Sequence, residues 1–336
     1  MIAAGVGAHH DPRKPVNVDP SLKGDWFVAG RTKDVPEGKI FATRILDHDL
    51  ILWRSSEGLR CWLDLCIHRG AKLSIGSVCN DQVKCAYHGW VYDQGGRCVR
   101  IPAHPHLAPP SKARTTAFPV FERHGLIWMS FEPATPEPPL MADLGSPDFR
   151  SRMAGPYAVV ACGPRMIENF LDVAHLPIVH HGSLGTQDMP EIGDYEVEEG
   201  PEGPRALGIR VFQPNPDGTG VASEVTYDYG VLRPLTVYLV KRFEEKISDT
   251  MFFVTPESRN RSKAYFLSCS NYEIGTEEQS QAFTDLIIGQ DIPVVESQRP
   301  ELLPLDLQAE LHLRSDRMAI AYRQWLQRQN FAFGTS

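Results

Sequence analysis

The sequence predicts an α+β protein of two domains: a small all-β domain, then a larger one in which helices cover an antiparallel sheet. Three observations predict this. Between Trp26 and about Phe131, short strand-like runs (KIFATRILD, DLILWRS, CWLDLC, QVKCAYHGWVYD, GLIWMSFE) are separated by turn signals such as Glu57-Gly58 and Gly95-Gly96, with no helical periodicity. The proline-rich stretch Glu132-Pro133-Ala134-Thr135-Pro136-Glu137-Pro138-Pro139 reads as a stiff linker. Beyond it, residues 165–181, 278–298 and 315–329 read as helices and 205–272 as a run of longer strands, the pattern of helices packed on an antiparallel sheet. The expected division is a disordered leader over 1–22, the β domain over 23–135 and the second domain over 136–336. A chain of 336 residues is long enough for both cores.

Composition excludes several roles. A net charge of −8 without a Lys/Arg block makes nucleic acid a poor partner. No apolar run approaches the length of a membrane span, and MIAAGVGAHHDPRKP lacks the basic start and apolar core of a signal peptide. The seven cysteines, Cys61, Cys66, Cys79, Cys85, Cys98, Cys162 and Cys269, are odd in number and scattered. That suits a reducing cytoplasm better than a disulfide framework.

The most specific signal is Cys66-Ile67-His68, sixteen residues, then Cys85-Ala86-Tyr87-His88-Gly89. Two Cys and two His in this order suit a [2Fe–2S] cluster with thiolates on one iron and imidazoles on the other. The thiolates would hold the buried iron, and the imidazoles would leave their second nitrogens for solvent or a partner. Structural zinc competes for the same ligand set, but zinc loops usually place two to four residues between paired ligands, and only one separates Cys66 from His68. The motif resembles that of the Rieske family over residues 24–131. Respiratory Rieske proteins carry C-x-H-x-x-C and C-x-C-H-G-S, whose extra cysteines form a disulfide. Here Ala71 and Tyr87 occupy those positions and Trp90 replaces the serine. The resemblance therefore implies no disulfide, one hydroxyl donor fewer to the cluster, and a potential near the low end of the range, roughly −150 mV.

A second constellation lies in Glu-Asn-Phe-Leu-Asp-Val-Ala-His-Leu-Pro-Ile-Val-His-His, residues 168–181. Glu168, Asp172 and His175 fall on one face of a helix. His180 would point about 140° away on an unbroken helix, unless Pro177 permits a kink or bulge that swings it inward. Two histidines need a carboxylate to complete the facial triad of a non-haem Fe(II) oxygenase. The segment SQAFTDLIIGQDIPVVESQ offers Asp285, Asp291 and Glu296. On a helical wheel Asp285 and Glu296 share the polar side, whereas Asp291 falls beside Phe283, Ile287 and Val294, where a buried carboxylate needs a cation.

These stretches resemble the D/E-x₃-D-x₂-H-x₄-H and E/Q-D-x-x-V-x-E-x-Q motifs of Rieske oxygenases. The resemblance implies iron ligation by His175, His180 (by its spacing, in preference to the adjacent His181) and Asp291. IPAHPHLAPPS, ERHGLIWM, DIPVVESQRPELLP and SDRMAIAYRQWL are similar to the homotrimeric branch, which includes caffeine N-demethylase, dicamba and vanillate O-demethylases and, with DVAHLPIVHHGSLG, the hydroxylases of saxitoxin biosynthesis. The branch implies head-to-tail rings in which an aspartate, here Asp172, bridges a cluster histidine of one subunit and an iron-ligand histidine of the next. No nucleotide-binding fingerprint is present, so electrons from NAD(P)H are expected through a separate reductase or ferredoxin docking near His68, His88, Arg69 and Lys72. The implied reaction is O₂-dependent monooxygenation, by hydroxylation or by N- or O-demethylation with release of formaldehyde, of a small aromatic or heterocyclic substrate. Phe170, Val179, Ile287 and the strands around Tyr227–Tyr238 are the expected pocket walls. Arene cis-dihydroxylation, an electron carrier with a non-catalytic second domain, and a zinc-stabilised binding module are the alternatives.

Overall fold

The computed structural model describes residues 18–273 and 275–336. The chain divides into two compact units at Pro138/Pro139, three residues beyond the expected boundary. Of the expected leader, residues 1–17 lie outside the described residues. Residues 18–22 pack instead as part of the first unit: they form a turn, with Leu22 N donating to Asp19 O at 2.9 Å and the Leu22 side chain fully buried.

The first unit is all β, in three small antiparallel sheets. One joins Phe27–Arg31, Leu126–Met129 and Val120–Arg123; the second runs Ile40–Ile45, His48–Ser55, Gly58–Leu63 and Ala117–Phe118. The third is made of Ser77–Cys79, Gln82–Lys84, Val91–Tyr92 and Cys98–Arg100. Two of the hairpins close on Leu46-Asp47 and Asn80-Asp81, whose left-handed φ values meet the demand of a two-residue turn matched to strand twist. Ile51, Trp53, Trp62, Leu73, Val83 and Tyr92 pack with Cys66 and Cys85 in one core, so the two cysteine loops rest directly on it.

The second unit centres on a seven-stranded antiparallel sheet. In spatial order its strands are Arg150–Val159, Arg261–Ser270, Lys246–Ser258, Thr236–Phe243, Ser223–Arg233, Pro204–Gln213 and Glu196–Glu199. The five inner strands span 204–270 and so fill the run of strands expected over 205–272. The two edges escape it for different reasons. Arg150–Val159 is interrupted by Gly155-Pro156, where the register shifts and a Cβ on Gly155 would lie 2.6 Å from Ala264 O. Glu196–Glu199 is nearly all charge, as an exposed edge tolerates.

Four helices accompany the sheet: α1 (Gly163–Leu171), α2 (Leu176–Val179), α3 (Glu277–Ser297) and α4 (Arg317–Arg328). The last two match the expected helices to within two residues. The expected helix over 165–181 does not form as one. It stops at Asp172, whose ψ of 114° is extended, and resumes as the single turn α2 after His175. Thr276 caps α3: its hydroxyl accepts from Gln279 N at 3.2 Å and its N–H donates to Gln279 Oε1 at 2.8 Å. The buried Arg323 of α4 donates to both oxygens of Glu168 on α1, at 2.5 and 2.8 Å. Glu310 bonds Arg323 as well and accepts from Arg165 at 2.7 Å. Leaving the buried Arg323 or Glu168 without its partner costs roughly 3–5 kcal/mol.

Two expectations follow. Gly76→Ala would place a methyl 2.3 Å from Lys84 O and 2.9 Å from Leu73 O; Lys84 directly precedes Cys85, so relief must move that loop. It should cost about 2–3 kcal/mol in denaturant unfolding, against under about 0.5 kcal/mol for Gly95→Ala, where the nearest atom is 3.4 Å away. Equal losses would mean the Gly76 turn relaxes freely. The second concerns Asp249, buried in the central sheet. Burial, with the Asp143 carboxyl nearby, raises its carboxyl to about 7 from 3.8. The native state then keeps a proton that the unfolded chain releases. This stabilisation is full below the ordinary carboxylate range and is lost as pH rises through about 7. Asp249→Asn, which mimics the protonated acid and does not titrate, should therefore match wild type near pH 4 and become the more stable of the two as pH rises to about 7 in urea melts; a difference flat with pH would contradict it.

Candidate metal centres

In the first unit, Cys66 and Cys85 are 2% and 1% exposed, while His88 is exposed and His68 partly so. The two loops are short turns, Cys66 O accepting from Gly70 N and Cys85 O from Gly89 N, which bring each Cys–His pair to the same tip. The imidazole centroids of His68 and His88 lie 4.5 Å apart. His68 Nδ1 is buried with no hydrogen-bond partner, so a nitrogen lone pair is directed inward at the tip, as a ligand to an iron requires. Burial raises the Cys66 thiol, against the pull of the Tyr92 hydroxyl, whereas burial together with His88 and Arg69 lowers the His68 imidazole. This donor set fits a [2Fe–2S] cluster with thiolates inside and imidazoles outside.

Two neighbours refine the sequence reading. Trp90, at the position of the missing serine, stacks on His68 at 4.5 Å and 7°. The Tyr92 hydroxyl lies 3.0 Å from Cys66 Sγ, so a hydroxyl donor to a cluster sulfur remains. This counters part of the expected lowering of potential, which weighed only the loss at Trp90. Tyr92 lay inside the strand run QVKCAYHGWVYD, but its approach to Cys66 follows from the pairing of Gln82–Lys84 with Val91–Tyr92. Of the two basic residues expected beside the tip, Lys72 pairs with Asp49 at 3.0 Å, and Arg69 is exposed.

In the second unit, His175, His180 and Asp291 come together from the start of α2, its end and the middle of α3. His175 Nε2 and His180 Nε2 are 3.2 Å apart, and Asp291 Oδ1 lies 3.5 Å and 3.2 Å from them. An ion with bonds of about 2.1 Å, held on one face, would separate its ligand atoms by about 3 Å. The break after α1 makes this possible. With one helical turn between them, His175 and His180 meet through the fold of α2 on itself, His180 N donating to Leu176 O at 3.2 Å.

The choice among three acids is decided by packing. Asp285 accepts from Tyr157 Oη at 2.5 Å, and Glu296 accepts from Val160 N at 2.8 Å, so both tie α3 to the edge strand and its end. Asp291 is 7% exposed. Its buried neighbours on α3 are Ile288 and Val295, while Phe283 and Val294 are exposed. The wheel therefore selected the buried acid from the wrong apolar arc. His181 is exposed and accepts from Gln187 N at 3.0 Å, away from the site. Glu168, placed on the ligand face by the unbroken-helix reading, belongs to the Arg323 clamp.

Asp172 Oδ1 accepts from Ala174 N at 2.8 Å, and Oδ2 stands 3.6 Å from His175 Nδ1, ion-pair rather than hydrogen-bond range. Burial opposes charge on His175, but Asp172 and Asp291 outweigh it and raise the imidazole above its ordinary range. Two polar neighbours escaped the sequence reading: Asn169 Nδ2 approaches Asp291 Oδ1 at 3.5 Å, and His180 Nδ1 pairs with Gln290 Oε1 at 2.8 Å. Gln290 had a signal, its place before Asp291 in an E/Q-D stretch; Asn169 had none. Of the expected pocket residues, Phe170 stacks on Phe252 at 5.0 Å, Val179 and Ile287 are half-buried, and Tyr227 and Tyr229 are buried.

Residues 25–116 match the Rieske [2Fe-2S] domain, and residues 159–329 match the vanillate O-demethylase oxygenase C-terminal domain. Methylxanthine N1-demethylase of Pseudomonas putida is 29% identical over 293 residues, covering 85% of this chain and 81% of that protein. The oxygenase component of dicamba O-demethylase from Stenotrophomonas maltophilia is 34% identical over 192 residues, 53% of this chain and 55% of that one. The structure of Pseudomonas putida CBB5 NdmA with caffeine aligns at a TM-score of 0.77 and 26% identity, covering 91% of this chain and 90% of the other. With an iron–sulfur domain followed by an oxygenase domain, each holding a matching donor set, the chain belongs to the Rieske non-haem iron oxygenases, oxidoreductases that use a [2Fe–2S] cluster, a mononuclear iron and dioxygen.

Proposed function

We propose that this oxygenase removes methyl groups from, or hydroxylates, a small aromatic or heterocyclic compound. Cys66, His68, Cys85 and His88 hold the cluster, and His175, His180 and Asp291 hold the iron. The observation that carries this is the convergence of two imidazoles and one buried carboxylate within 3.5 Å, with no fourth protein ligand among the described residues, which leaves positions for dioxygen beside substrate. Similarity to a methylxanthine N-demethylase and a dicamba O-demethylase supports the substrate class and the reaction. Electrons come from NAD(P)H through a separate reductase or ferredoxin. The seven cysteines, none in a disulfide, favour the cytoplasm.

When bound, the iron supplies dioxygen activation and the cluster supplies electrons. The chain supplies position and charge. Asp291 and the two imidazoles would hold the metal from one side, and the burial of His180 and Asp291 limits the access of bulk water to it. Asp172 orients His175. Its side chain is about one-third exposed and has acceptor capacity left, so it can also receive a cluster histidine of a neighbouring subunit in a head-to-tail trimer, which shortens the electron path.

The purified protein, supplied with a reductase and a panel of N- and O-methylated heteroaromatics, should consume O₂ and release formaldehyde, with one oxygen atom of O₂ entering substrate. Two atoms entering an arene would point to dihydroxylation instead. His175→Ala, His180→Ala or Asp291→Ala should abolish product while the rhombic Rieske EPR signal persists. Loss of iron in Asp285→Ala or Glu296→Ala but not in Asp291→Ala would refute the ligand assignment.

Asp172→Asn should retain cluster and iron yet slow product formation by orders of magnitude. Mixing chains defective only at His88 with chains defective only at His175 should restore partial activity. No recovery despite verified subunit exchange would exclude transfer between subunits.

A further inference from the structure

His180 is gripped on both edges by two consecutive residues of one helix. Asp291 Oδ1 lies 3.2 Å from its Nε2, and Gln290 Oε1 lies 2.8 Å from its Nδ1. The ring is 1% exposed, so bulk water does not reach either nitrogen. If Nε2 faces the metal, Nδ1 must carry the proton, and the Gln290 amide must present its oxygen. His175 differs: its Nδ1 faces the carboxylate of Asp172 at 3.6 Å. The two imidazoles of the site therefore have unlike outer partners, one charged and one neutral.

We propose that Gln290 is a positioning residue for the iron: its amide oxygen fixes the tautomer and ring plane of His180, and its neutrality keeps the ferrous site uncharged overall. Two carboxylates, Asp291 and Asp172, already balance a divalent ion. A third, buried beside them, would stabilise the ferric over the ferrous state and would lack a counter-charge. The inference rests on the assignment of His175, His180 and Asp291 as ligands. It goes beyond that assignment by naming the group that sets the second histidine and the sign of the charge it must not carry.

The test is ferrous iron binding to the metal-free mononuclear site of the full chain, with the cluster retained, by chelator competition, together with the EPR of the ferrous nitric oxide adduct. Gln290→Leu removes the acceptor and should weaken iron binding about 10- to 100-fold, with a broadened adduct signal from a loosely held ring. Gln290→Glu keeps the acceptor and adds charge. It should bind ferrous iron at least as tightly as wild type, shift the rhombicity of the adduct signal and oxidise more readily to ferric. Wild-type affinity and an unchanged adduct signal in Gln290→Leu would overturn the proposal. If that variant fails to fold, Gln290→Glu still decides: loss of iron, or an adduct signal and ease of oxidation identical to wild type, overturns it. His180→Ala separates the two levels. If it binds iron as wild type does, the ligand assignment itself has failed; if it loses iron while Gln290→Leu does not, only the role of Gln290 has.

Discussion

A carboxylate cannot be buried among imidazoles without a positive charge, and the organisation of the second unit follows from that constraint. Asp291 is nearly inaccessible and faces two ring nitrogens within 3.5 Å. A divalent ion resolves the cost of its burial. Everything that holds Asp291 against the two histidines consequently acts on the metal. Thr276 fixes the start of α3, Tyr157 and Val160 tie it to the edge strand, and the Glu168–Arg323 pair locks α1 to α4, so that the chain leaves α1 where α2 can begin.

The two metal centres apply opposite rules of exposure. At the first, buried thiols sit on a tryptophan-rich core while the histidines reach the surface, so the charge-rich part is insulated and the electron-accepting edge is accessible. At the second, His180 and Asp291 are buried, and Asp172 beside them is partly exposed. Sites that exchange electrons with a partner need an accessible ring edge. Sites that handle dioxygen beside a small organic substrate benefit from excluding water.

The acids of α3 show how tertiary contacts divide labour among similar side chains. Asp285, Asp291 and Glu296 lie on one helix within three turns. Two are held by hydrogen bonds from Tyr157 and Val160, which tie α3 to the edge strand in the rotation that carries Asp291 inward. The same rotation presents Gln290 to the far edge of His180, so one helix supplies both the acid beside His180 and the partner of its other ring nitrogen.

The sequence by itself determined that a β unit precedes a unit of helices and sheet, and it singled out two donor sets, Cys66, His68, Cys85 and His88 in the first and two histidines with a distant acid in the second, which the fold brings together. Those are local patterns: alternation, helical period, proline punctuation and short ligand intervals are written within a few residues of each other. Pro177 signalled an interruption of the helix, and it does sit in the first turn of α2, but where α1 ends was not legible, because nothing within 165–181 gives a sign of the Glu168–Arg323 clamp. Nor could the wheel place Asp291 on its true arc, since Phe283 and Val294 are apolar yet exposed. The contact of Tyr92 with Cys66 and of Gln290 with His180 joins residues 26 and 110 positions apart. Only the folded chain decides such contacts, because they depend on strand pairing and helix rotation that no local period encodes.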